Sequence, residues 1–64
     1  MLYVVGTWID GEQLFITDYW FNGEKQYHAI GDIKDAAVLD KDLAGELSRR
    51  FNMTIYCYHL ETRS

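Results

Sequence analysis

The chain has 64 residues, with ten acidic and six basic side chains and a formal charge of −4 at pH 7. Nearly half the residues are apolar and 16% are aromatic, which excludes an intrinsically disordered chain. Six dispersed bases among ten acids argue against direct nucleic-acid binding, which needs clustered Lys and Arg to displace counterions.

The length accommodates a single domain, 1–64, which buries only about 60% of its unfolded surface and is marginal alone. One cysteine, Cys57, precludes an internal disulfide and fits a reducing compartment, so a cytoplasmic location is expected. No apolar run approaches the roughly 20 residues of a membrane span. The opening "MLYVVGTW" lacks the basic leader and small-residue cleavage site of a secretory signal. Association with itself or with a partner is the remaining support for so small a core.

"LYVVGTWI", residues 2–9, is rich in the β-branched and aromatic residues that suit a pleated strand. Asp10 and Gly11 tolerate the positive φ that both central residues of a type I′ turn require, so a two-residue hairpin follows. "QLFITDYW", residues 13–20, is the return strand. Asn22-Gly23 repeats the turn signal, and "KQYHAIG", residues 25–31, is a third strand. Asp32 suits the cap of one short helical turn, after which the chain runs extended to Leu39. Asp40 reads as a helix N-cap with Asp42 in the first turn. Leu43, Leu47 and Phe51, with Ala44 beside them, form one apolar helical stripe. Arg49 and Arg50 complement the dipole in the last turn, and Asn52 suits the left-handed residue that ends the helix. "MTIYCYHL", residues 53–60, is a final strand.

The fold class is therefore α+β, with the order β-β-β-α-β. The expected sheet is four-stranded and mostly antiparallel, in the order 3-2-1-4, with one helix on one face. With one helical crossover, the last strand is expected parallel to the first.

Two-residue loops set Ile9 opposite Glu12 and Phe21 opposite Glu24. One face then carries Tyr3, Val5, Ile9, Leu14, Ile16, Trp20, Tyr27 and Ala29. The other carries Leu2, Val4, Trp8, Phe15, Tyr19, Phe21, His28 and Ile30. Both faces are apolar, and one helix covers only one of them. The helix stripe is expected on the first, more aliphatic face, with the Phe15 ring lying over Gly6. Trp8, Phe15, Tyr19 and Phe21 are left as an exposed aromatic patch, larger than monomers normally show. That patch is the first candidate partner-binding surface; the competing reading is that the aromatics fold over a twisted sheet edge.

The second candidate is an acidic edge of Asp32, Asp35, Asp42 and Glu46, able to steer the chain to a basic cleft. A purely structural account of the same acids is capping, a solvated face and a Glu46–Arg50 pair. Cys57 and His59 share one side of the last strand. They lack the paired ligand spacing of a zinc site and the third group and pocket of a nucleophilic pair, so no metal, cofactor or catalytic residue is assigned. They read instead as a small buried thiol and a strand-end histidine. Asp18, mid-strand, is expected to pair with Tyr3 or Tyr27 across strands. Gly45, in mid-helix away from the stripe, has no packing explanation.

The run "DIKDAAVLDKDLAGELSRRFNMTIYCY" after a short hairpin resembles small proteins of phages and prophages of Gram-positive bacteria. Their shared layout is a hairpin, an alanine-containing turn, a short amphipathic helix and a last strand. Some acidic proteins of that source are anti-CRISPR inhibitors that bind Cas nucleases, so the resemblance implies a non-enzymatic inhibitor of a nucleic-acid enzyme with a basic cleft, acting in a bacterial cytoplasm. The alternatives are a structural or regulatory homodimer, and a small ligand- or nucleic-acid-binding module using stacked aromatics.

Overall fold

A computed structural model describes residues 1–58. Four strands, β1 (Leu2–Ile9), β2 (Glu12–Asn22), β3 (Lys25–Gly31) and β4 (Thr54–Tyr58), form one sheet in the order β3-β2-β1-β4. A single 3₁₀ turn (Ile33–Asp35) follows β3, and one helix, α1 (Lys41–Phe51), precedes β4. The chain is an α+β fold with the expected strand order.

The first hairpin forms as its turn residues dictate. Asp10 and Gly11 both have positive φ, 52° and 80°, and Ile9 pairs with Glu12. The second hairpin closes one residue later than the Asn22-Gly23 signal suggests. Asn22 pairs with Lys25, so the loop is Gly23-Glu24, and Gly23 alone carries positive φ. That is the requirement of a type II′ turn, whose first central position takes glycine.

The expected parallel β4 is corrected: β4 runs antiparallel to β1, from Thr54 opposite Gly6 to Tyr58 opposite Leu2. The cause is an extra reversal. After the 3₁₀ turn the chain runs back as an extended segment, and Leu39 makes a two-hydrogen-bond antiparallel bridge with Tyr3, both bonds 2.8 Å long. The amide of Ala37 donates to the carbonyl of Ile16 at 2.8 Å. Residues 37–39 thus take up hydrogen-bonding groups on the β2-facing side of β1 and on Ile16, beyond the last β1–β2 pair at Gly6 and Phe15. Each extra reversal inverts the direction of all later elements, so the helix and β4 both turn over.

Helix α1 starts where Asp40 accepts a hydrogen bond from the Leu43 amide at 2.8 Å and ends where Asn52 adopts φ 55°. An N-cap of this kind stabilises a helix by about 1 kcal/mol. Ala44 and Leu47 are buried, and Leu43 and Phe51 pack at the edge of the same core. They lie with Val5, Ile16 and Leu39 in one cluster. Fully burying each large aliphatic side chain contributes about 1.5–3 kcal/mol, so Val5, Ile16 and Leu47 dominate a core this small. None of the described residues buries a polar or charged side chain. No helix among them is long and apolar enough to cross a membrane.

The pairing of β2 with β3 shifts between Ile16 and Asp18, where Thr17 is the extra residue of a β-bulge. Because side chains alternate with period two, one extra residue turns over everything beyond it. Inside the bulge Tyr3, Val5 and Ile16 face the helix as expected. Outside it the two predicted faces exchange: Tyr19, Phe21, His28 and Ile30 lie on the helix side, and Trp20, Tyr27 and Ala29 on the open side.

Candidate functional site

The open side of the sheet is built from Leu2, Val4, Gly6 and Trp8 of β1, Phe15, Trp20 and Asp18 of β2, Tyr27 of β3, and Tyr56 and Tyr58 of β4. Its centre is covered by its own side chains. Phe15 lies against Gly6 and meets Tyr56 edge-on, with ring centroids 5.8 Å apart at 72°. Only 8% of Phe15 and 2% of Val4 remains exposed. The ends of the face are different. Trp8 is 63% exposed, and Trp20 and Tyr27, which oppose each other across β2 and β3, are each 50% exposed.

The predicted aromatic patch is therefore corrected in three of its four members. Trp8 stands open. Phe15 is on the predicted face but belongs to a second, smaller core. Tyr19 and Phe21 are on the helix side, stacked on each other at 6.5 Å, and Phe21 lies beneath the Arg50 guanidinium at 4.2 Å. Trp20 and Tyr27 take their place. The signal for that exchange is in "FITDYWF": two consecutive polar residues, Thr17 and Asp18, break an otherwise apolar run at the bulge itself.

Arg50 fastens the exchanged half of the sheet to the helix. Its Nε donates to Glu46 at 2.6 Å, and its Nη1 donates to the Gly23 carbonyl at 3.3 Å and to Gln26 Oε1 at 3.4 Å. Gln26 in turn donates to the Arg50 carbonyl at 3.3 Å. His28 packs against Phe51 at 4.4 Å between ring centroids. Asp18 does pair across strands: the Tyr27 hydroxyl donates to it at 2.9 Å. That hydrogen bond, with the carboxylate's charge second and slight desolvation third, raises the Tyr27 hydroxyl above its usual pKa of 10.0.

The acidic residues do not act as one group. Asp32 accepts from the Ile33 amide at 2.8 Å, as the cap of the 3₁₀ turn. Glu46 is held by Arg50 and, at 3.4 Å, by Arg49. Asp35 and Asp42 are exposed. On the open face the strands present one acid, Asp18, and one base, Lys25, so the charge of the molecule is concentrated elsewhere.

Cys57 is exposed at the β4 edge rather than buried, because the helix lies over β1 and leaves the helix side of β4 partly bare. His59 lies outside the described residues. No three His, Cys, Asp or Glu side chains among the described residues converge as a metal site requires. A shallow groove of about 160 Å³ lies between Tyr3, Lys41 and Ile55, smaller than the roughly 300–1,000 Å³ of small-molecule sites.

No protein-family model matches the chain, and neither the curated proteins nor the solved structures compared with it include a match.

Proposed function

We propose that the protein is a non-enzymatic interaction protein, with the open sheet face as its contact surface. The observation that supports this reading is that Trp8 at one end of a nearly uncharged face, and Trp20 with Tyr27 at the other, are each at least half exposed. Exposed aromatics bury 150–250 Å² each on contact and are enriched at the energetic centres of interfaces. In its specific form the proposal is a phage-derived inhibitor of a host nucleic-acid enzyme, such as a Cas nuclease. The net charge of −4 would favour approach to a basic partner over an acidic one.

The test is titration of the purified protein into a panel of Cas nucleases and other nucleic-acid enzymes at low and high salt. Inhibition that weakens as salt rises is the expected result, since screening acts on exposed charges. Trp8→Ser is expected to keep the fold and weaken binding. Phe15→Ser is uninformative here because Phe15 is 8% exposed and its loss opens a core. A panel that remains fully active at every salt concentration overturns the inhibitor.

A further inference from the structure

Tyr3 commits both of its backbone groups to Leu39: its amide donates to the Leu39 carbonyl, and its carbonyl accepts from the Leu39 amide, each at 2.8 Å. The N–H and C=O of one strand residue point to the same side, and that side alternates along the chain. Tyr3 and Val5 therefore turn away from β4, while Leu2, Val4 and Gly6 bond to it. The β4 residues opposite Tyr3 and Val5 are Cys57 and Ile55. These are the non-hydrogen-bonded pairs of the ladder, so the N–H and C=O groups of Ile55 and Cys57 point outward, away from β1. β4 ends the sheet, and among the described residues nothing pairs with that outer side.

Two outward donors and two outward acceptors within three residues are a template for one more strand. The two edges of the sheet differ in how they are guarded. β3 carries Lys25 and lies beside the bulge at Thr17. β4, "TIYCY", has no charged residue and no proline, and it pairs with β1 from Thr54 to Tyr58 without a shift of register. Lysine, proline and bulges are the devices that keep added strands off an edge, and β4 has none of them.

The side chains indicate what such a strand carries. Residues paired across a ladder point to the same face, so the two residues bonded to Ile55 and Cys57 lie on the helix side. Ile55 is 40% exposed there, and Cys57 is exposed. Ile55 is also one wall of the groove it shares with Tyr3 and Lys41. At about 160 Å³ the groove is close to the roughly 150 Å³ that holds one benzene ring, which is room for a single aliphatic or small aromatic side chain. Lys41, the one charged side chain of the three, disfavours a basic residue in that place.

We infer that the outer edge of β4 is a receptor for an extended peptide segment of another protein, which pairs with the backbone of Ile55 and Cys57 and lays an apolar side chain against the groove of Tyr3, Lys41 and Ile55. The site is separate from the open face and stands without it.

Backbone amide exchange of the full chain tests this, alone and with peptides selected from a displayed library of random dodecapeptides. In the dilute chain alone, the Ile55 and Cys57 amides are expected to exchange fast, and the Tyr56 amide, bonded to β1, about tenfold or more slowly. Selected peptides are expected to carry apolar residues two positions apart and to slow Ile55 and Cys57 together. Cys57→Pro removes an outward donor that β1 does not use, so it is expected to keep the fold by circular dichroism and to weaken peptide binding about tenfold or more. If that variant unfolds, Ile55→Lys, at an exposed position, takes its place with the same expected loss. Slow exchange at Ile55 and Cys57 in the dilute chain overturns the inference, because the chain then covers its own edge. Protection that appears without peptide as concentration rises overturns it in favour of a second copy. A library that yields no binder, binders that leave both amides fast, or a folded variant that binds undiminished overturns it as well.

Discussion

Gly6 and Phe15 pair directly across β1 and β2, and the phenyl ring occupies the space a side chain on residue 6 would need. A Cβ built on Gly6 falls 2.8 Å from Phe15 Cδ1 and 2.6 Å from the Leu14 carbonyl oxygen. The second contact is backbone, so a rotamer change of Phe15 does not relieve it. Gly6→Ala is therefore expected to destabilise the fold by about 1–3 kcal/mol, the range for overpacking a filled site. A urea titration checks this, and an unchanged midpoint would mean the ring does not lie where described.

Gly45 gives the opposite expectation. It sits inside α1 with negative φ, and a Cβ there meets only the Arg49 guanidinium at 3.5 Å, an ordinary contact. Alanine in a helix interior is favoured over glycine by about 0.8–1.0 kcal/mol. Gly45→Ala is expected to raise the urea midpoint with no change in slope. A lower midpoint would point to a backbone role for Gly45 that the packing does not reveal.

Arg50 links the helix end to the second hairpin through Glu46, the Gly23 carbonyl, Gln26 and the Phe21 ring. The ion pair with Glu46 is partly solvated, with side chains 26% and 36% exposed, so it contributes at the modest surface scale. Together with the cation–π contact, the expected cost of Arg50→Ala is about 1–2 kcal/mol. The loss should be local: amide exchange is expected to speed up at Gly23–Gln26 before it does in β1. Uniform acceleration across the sheet would contradict this account of the clasp.

Tyr27 predicts a pH effect of definite sign. Its hydroxyl donates to Asp18, and its pKa is raised in the folded state above the usual 10.0. The neutral phenol therefore favours folding. That contribution is complete below about pH 10 and is lost as pH rises through the raised value. In Asp18→Asn the acceptor charge is gone, so one phenol is expected to ionise at lower pH in ultraviolet titration. Identical titration curves for the two proteins would show that the hydrogen bond does not form.

How far the fold is legible in the sequence differs by element. Asp10-Gly11, Asp40 and Asn52 act locally, through φ preferences and side-chain caps, and each does in the fold what its residue type dictates. The spacing of Leu43, Ala44, Leu47 and Phe51 likewise places the helix stripe on the core. The bulge at Thr17 and the return of residues 37–39 are not local. One depends on pairing with β3, and the other on hydrogen bonds to Tyr3 and Ile16. Thr17 and Asp18 mark a break in the apolar run but do not say that the strand pairing shifts there, and no residue type marks the return of residues 37–39. For that reason the sequence shows that aromatics are left exposed but not which ones: Tyr19 and Phe21 go to the helix side, and Trp20 and Tyr27 come out on the open side.

The chain has two tryptophans, and both stand on the open face, so a fluorine label on tryptophan reports on that face alone. Fluorine NMR of the chain labelled with fluorotryptophan, titrated with the unlabelled nucleases of the panel, tests the central claim most directly. The account predicts that both resonances shift or broaden as a bound nuclease is added. Resonances that stay unchanged with every nuclease of the panel would contradict it.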